Sequence, residues 1–179
     1  MQDLPTIHSF LDVSLNTDHP PLVICDIDYT FIRPDLELPA VASFLQNHKK
    51  YSHPSLLYDD AYQFMDTAYN SGIIRQTDPR GFQHMLNTIQ QSNGKLIFLT
   101  ARSIQFHSKT LYDLFKAGLE IPEQYEIHYT NNQISKGEYL KHIDLSPFQH
   151  IYFIDDNLAY LDSVRTTFPN IHCYQFHYI

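Results

Sequence analysis

Leu22-Val23-Ile24-Cys25-Asp26-Ile27-Asp28-Tyr29-Thr30 is the stretch that decides the fold of this chain. It follows Pro20 and Pro21, which separate it from what precedes, and it opens with an unbroken apolar run. Such a run, bounded by turn signals, reads as a strand buried in a parallel sheet. Two carboxylates then stand at the C-terminal end of that strand. In open α/β sheets this edge is where ligands bind, and paired carboxylates held close together repel unless a cation or a shared proton compensates. The plainer alternative is a strand terminus with solvated turn aspartates.

Five apolar runs recur along the chain, at Leu22 to Ile27, Leu96 to Leu99, Glu126 to Tyr129, Ile151 to Ile154 and Ile171 to Phe176. Helical patterns separate them. Phe82, Met85, Leu86 and Ile89 repeat at helical spacing between Asp78 and Gly94, and Leu111, Leu114 and Phe115 do so before Gly118. Ser135, with Glu138 three residues on, matches a capping box ahead of Leu140, and Leu158, Leu161 and Val164 mark a last helix before Pro169. The alternation predicts an α/β fold with a Rossmann-like parallel sheet. About seventy residues separate the first run from the second, far more than one crossover needs, so an insertion is expected. Its two amphipathic patterns, Val41, Phe44 and Leu45, then Leu57, Ala61, Phe64, Met65 and Ala68, predict a small helical cap over 35–77, with a core formed by 1–34 and 78–179.

The chain has 179 residues, 43% hydrophobic and 18% charged, within the range of one folded domain. A formal charge of -8 and the lack of a dense Lys/Arg run argue against nucleic acid as a partner. No run approaches the roughly 20 apolar residues of a membrane span, and Met1 to Leu15 does not resemble a secretory signal. Cys25 and Cys173 stand far apart without metal-ligand spacing, which fits a reducing, cytoplasmic compartment. No G-x-x-x-x-G-K-S/T loop is present, and His172, Cys173 and His177 read as strand residues and not as ligands.

The other strand ends also carry polar groups. Leu96 to Leu99 leads into Thr100, Ala101 and Arg102; a hydroxyl there either binds a phosphoryl oxygen or caps the next helix. Arg102 reads as a surface arginine, and a lone lysine such as Lys136 is normally solvated. Ile151 to Ile154 leads into Asp155-Asp156-Asn157, a second acidic pair that is also able to cap the helix beginning near Leu158. The order is more specific than any member: acidic pair, hydroxyl, lysine opening a helix, acidic pair.

In that order the chain resembles the haloacid-dehalogenase-like superfamily of phosphatases, over the core on both sides of the insertion. The resemblance implies a sheet in which the first run is central, flanked by the fourth and the second. It implies that Asp26 attacks phosphorus and that Asp28 protonates the leaving oxygen and later deprotonates water. Thr100 and Lys136, with Ala101 and Arg102 beside the hydroxyl, would hold the phosphate. Asp26, the backbone carbonyl of Asp28, and Asp156 would ligate Mg²⁺, with Asp155 the less certain ligand. The fourth motif departs from the family's glycine-rich form, and the chain is closer to members with an Asp-Asp-Asn turn.

The expectation is a Mg²⁺-dependent phosphomonoester hydrolase acting through an aspartyl-phosphate. Tyr51, Tyr58, Tyr62, Phe64 and Tyr69 in the insertion favour an aryl phosphate such as phosphotyrosine, by stacking. The alternative for those rings is that they pack the cap helices. The substrate would be a phosphorylated molecule, with a phosphoprotein among the candidates, and some relatives are exported by pathogens into host cells. Three other readings stay open: a module that binds phosphate or metal without turnover, a small-metabolite phosphatase, and a phosphoacceptor switch. Asp28 speaks against the last, because it would hasten hydrolysis.

Overall fold

Every apolar run forms a strand, and the strands are parallel neighbours in one sheet. The computed structural model describes residues 4–34 and 74–178. Its strands are β1 (Thr6–Ile7), β2 (Leu22–Cys25), β3 (Ile32–Pro34), β4 (Ile74–Gln76), β5 (Lys95–Thr100), β6 (Glu126–Tyr129), β7 (Ile151–Asp155) and β8 (His172–Phe176). Six of them form a parallel sheet in the order β1-β8-β7-β2-β5-β6, an α/β, Rossmann-like arrangement with β2 between β7 and β5. The central position expected for the first run is therefore observed.

A strand in the middle of such a sheet has no solvated face, and all four residues of β2 are buried. Val23 and Cys25 pack on one side with Phe98, Ile154 and two helices, α1 (Pro79–Gln91) and α2 (His107–Lys116). Leu22 and Ile24 pack on the other with Ile97, Leu99, Phe153 and the helices α3 (Lys136–Leu140) and α4 (Leu158–Thr167). Asp78 caps α1 by accepting the Gly81 N–H at 2.9 Å, and Phe82, Met85, Leu86 and Ile89 are all buried, as the periodicity requires.

One expectation needs correction. In α2 the buried residues are Thr110, Asp113 and Leu114, while Phe115 is exposed, so the apolar spacing names the wrong inner face. The two-residue β1 carries no periodicity and was not legible. The helical cap expected over 35–77 lies for its greater part, 35–73, outside the described residues; past these, β4 pairs antiparallel with β3, Ile32 opposite Gln76 and Pro34 opposite Ile74.

Helix α3 has only five residues and depends on close contact with α4. Gly137 provides it: a Cβ at this position would stand 2.1 Å from the Ser163 carbonyl oxygen, and the Gly137 N–H donates to Ser163 Oγ at 3.1 Å. Because the helix approaches this closely, its first residue, Lys136, is carried under the C-terminal edge of the sheet.

Candidate functional site

The register of the sheet assembles the site. Cys25 pairs with Phe98 of β5 and with Ile154 of β7, so Asp26 emerges one step beyond both, its N–H donating to the Ile154 carbonyl at 2.9 Å. Thr100 ends β5 and Asp155 ends β7, on strands about 4.8 Å to either side. Ser135 accepts the Glu138 N–H at 3.2 Å and starts α3, presenting Lys136 from the face of Ile24 and Phe153.

Lys136 is not a surface charge. It is fully buried; its ammonium donates to Asp26 Oδ1 and, at 2.7 Å, to Asp155 Oδ2, and lies 4.8 Å from the centre of the Tyr160 ring. Burial works against the ammonium, but the two carboxylates outweigh it and raise its pKa, so it remains a cation.

Asp26, Asp155 and Asp156 bring carboxylate oxygens within 4.8 Å of one another. One ammonium cannot balance three carboxylates; a surplus of two negative charges is left, the charge of one divalent cation. The donors are all oxygen, which suits a hard cation, so the residues present fit a metal ion. Their roles differ. Both Asp155 oxygens already accept protein hydrogen bonds, from Lys136 and from the Asn157 N–H at 2.8 Å. Asp156 is only half-buried and accepts the Thr30 hydroxyl at 3.3 Å. Asp155 is thus Lys136's partner and Asp156 the better ligand.

Asp28 sits on a tight turn. The N–H groups of Phe31 and Ile32 both donate to the Ile27 carbonyl, at 3.0 and 2.8 Å, and Tyr29 N–H donates to Ile32 O at 2.7 Å. Thr77, just past β4, buttresses the turn from the far side of the insertion: its hydroxyl donates to the Thr30 carbonyl and its N–H to Phe31 O at 3.0 Å. So braced, Tyr29 holds φ 61, a left-handed conformation costing a bulky residue about 1–3 kcal/mol. The residue, next to Asp28 in the chain, is 39% exposed.

Arg102 does not point to solvent either. Its Nε and Nη2 grip Asp28 Oδ2 and Oδ1 at 2.9 and 2.8 Å, and Nη1 donates to Asp113 Oδ2 at 2.9 Å and Thr110 Oγ1 at 3.1 Å. Burial pushes the Asp113 carboxyl up, while Arg102 and Lys109 pull it down without fully offsetting that. Thr100 is buried, its Oγ accepting the Arg102 N–H at 3.2 Å, and Ala101 is half-buried between them. Thr30, Thr110 and Asp113 were not anticipated; only Thr30 had a signal, as the last member of the Asp-x-Asp-x-Thr stretch.

Burial pushes the Asp26 carboxyl up, Lys136 draws it down, and Asp155 and Asp28 push it up again, to about 7. Burial, then the Asp26 charge, lifts Asp156 to about 6. Both values exceed those of an unfolded chain, so between about pH 4 and pH 7 the metal-free native state binds protons that the unfolded state has released. Its stability therefore falls as pH rises through that window. Thermal melts in chelator should give a higher Tm at pH 5 than at pH 8, and excess Mg²⁺ should raise Tm more at pH 8, where no proton competes. A Tm that climbs steadily from pH 5 to pH 8 in chelator would contradict this.

The model of a family described as "Protein of unknown function (DUF2608)" matches residues 6–136. The chain belongs to that family. The match spans the Asp26 and Asp28 turn, Thr100, Arg102 and Asp113 and ends on Lys136, so most of the site falls within it. No curated protein matches the chain. Among solved structures, one titled "Structure of Pnkp1/Rnl/Hen1 complex" is 18% identical with a TM-score of 0.52, over 99% of this chain and 52% of that one. The chain thus spans about half the length of that relative, and the likeness is one of fold. Among the described residues no helix is long and apolar enough to cross a membrane.

Proposed function

We propose that this chain is a haloacid-dehalogenase-like, Mg²⁺-dependent phosphomonoester hydrolase that works through an aspartyl-phosphate on Asp26. The observation that carries the reading is the environment of Asp26: a buried carboxylate at the end of the central strand, gripped by a buried lysine, with Asp156 within metal-sharing distance. A carboxylate kept this dry and oriented has little structural purpose, since burial disfavours its charge; as a nucleophile it is poised.

Asp26 would form the new P–O bond as the bond to the leaving oxygen breaks, with Asp28 giving that oxygen a proton. Asp28 would then take a proton from the water that attacks phosphorus, and phosphate departs with Asp26 restored. Thr100 and Lys136 supply a hydroxyl and a positive charge to the phosphoryl oxygens. Mg²⁺, held by Asp26, Asp156 and the Asp28 carbonyl, would neutralise charge on the transferring group when bound.

The division of labour between the two neighbouring aspartates gives a test of the ligand set. Asp156→Ala should raise the Mg²⁺ concentration needed for half-maximal rate by at least about tenfold, and by more than Asp155→Ala does. Mg²⁺ titrations of both variants decide it, and the reverse ranking would reassign the ligand.

The substrate class proposed is an aryl phosphate such as phosphotyrosine, free or carried by a phosphoprotein. Tyr29, partly exposed and next to Asp28 in the chain, supports stacking with an aryl group, worth about 0.5–1.5 kcal/mol per pair. Steady-state kinetics should rank phosphotyrosine above phosphoserine, hexose phosphates and nucleoside monophosphates in kcat/KM. A hexose phosphate or nucleotide about tenfold better would remove the aryl assignment and leave the phosphatase reading standing. Cys25 and Cys173 are buried free thiols, which supports a reducing cytoplasm, the cell's own or a host's, as the place of action.

A further inference from the structure

Asp113 is misplaced for a helix of this kind. It is a fully buried carboxylate on the inner face of α2 beside the buried Leu114, while the aromatic Tyr112 and Phe115 of the same helix are more than half exposed. Removing a charge from water costs several kcal/mol, and an apolar residue in its place is commonly neutral or stabilising, so the core gives no reason for an aspartate here. What Asp113 touches gives one. It accepts Arg102 Nη1 at 2.9 Å and Lys109 Nζ at 3.2 Å, and Thr110 Oγ1 takes a second hydrogen bond from the same guanidinium nitrogen at 3.1 Å. The opposite edge of that guanidinium holds both oxygens of Asp28.

We propose that Asp113 is a positioning residue that acts through Arg102 to aim the Asp28 carboxylate at the leaving-group oxygen of the substrate. This rests on the phosphoryl-transfer reading given above. A guanidinium is planar and its five N–H donors are fixed in a fork, so anchoring one end to a buried carboxylate fixes the plane of the other. Asp28 is a quarter exposed and stands on a turn, where its side chain would otherwise sample several rotamers. Asp113 touches neither phosphate nor Asp28. Its effect is confined to the step that needs Asp28 aimed.

That confinement makes the proposal testable against a merely structural ion pair. A 4-nitrophenolate departs with little need of a proton, whereas a phenolate departs poorly without one. The two substrates have nearly the same shape, and kcat/KM reports only steps through the first bond cleavage. Asp113→Asn in the full chain, with Mg²⁺, should lower kcat/KM for phenyl phosphate by about tenfold or more and for 4-nitrophenyl phosphate by less than about threefold. Arg102→Lys keeps the charge but loses the fork; it should give the same split, and it carries the test if Asp113→Asn does not fold by circular dichroism. Equal losses on both substrates, or no loss on either, would overturn the positioning role while leaving the hydrolase intact. Wild-type protein inactive on both would instead remove the phosphoryl-transfer reading, and this proposal with it.

Discussion

Asp26→Asn should fold, bind Mg²⁺ more weakly and release no phosphate. The amide has the size and shape of the carboxylate, but its oxygen is not a nucleophile towards phosphorus, and loss of such a group costs about three orders of magnitude or more in kcat. The fold should tolerate the change, because Lys136 keeps Asp155 as a partner at 2.7 Å and the surplus of buried negative charge shrinks. In chelator at pH 8 the variant should melt no lower than wild type. Phosphate release and thermal melts on the same preparations separate the two effects. More than a few per cent of wild-type rate in pure Asp26→Asn protein would remove Asp26 as nucleophile.

Lys136→Met is the converse case, where stability carries the effect. Methionine fills a similar volume beside Tyr160 and Phe153 but leaves the buried carboxylates of Asp26 and Asp155 without their ammonium. Breaking a buried ion pair from one side costs about 3–5 kcal/mol, since the remaining charge is dry and uncompensated. In chelator at pH 7 urea denaturation should reveal a loss of that size, and the loss should shrink at pH 5, where the carboxylates take up protons. Adding Asp26→Asn to Lys136→Met should recover part of it, because the two sites are in contact and their effects do not add. A loss below about 1 kcal/mol at pH 7 would mean that the charges are better solvated than their burial implies.

The sheet was legible because its strands are buried on both faces and read as unbroken apolar runs, and because each ends on a residue no core would choose: Asp26, Thr100, Asp155. The order of those ends, with Lys136 opening a helix, carried the family resemblance, and it was the resemblance that implied a central β2. What escaped the sequence was set by contacts between elements. Lys136 looks like any surface lysine, and its burial depends on Gly137 letting α3 press against α4. Arg102 finds Asp28 on another strand's turn and Asp113 on the following helix, and no local spacing announces either pairing. In α2 the apolar period pointed to Phe115, whereas the buried position belongs to Asp113, where an ion-pair network overrides hydrophobicity. The short β1, β3 and β4 are held by pairing with neighbours and leave no pattern of their own.

The central claim is that Asp26 itself becomes phosphorylated. An acyl phosphate is reduced by borohydride to an alcohol, whereas a free carboxylate is not, so a steady-state mixture with 4-nitrophenyl phosphate and Mg²⁺, quenched into borohydride, records where the phosphoryl group was attached. Peptide mass spectrometry of that mixture should find homoserine at position 26, and none there when substrate is omitted or Mg²⁺ is chelated. Steady turnover with position 26 unmodified, or homoserine at Asp28, Asp155 or Asp156 instead, would contradict the account.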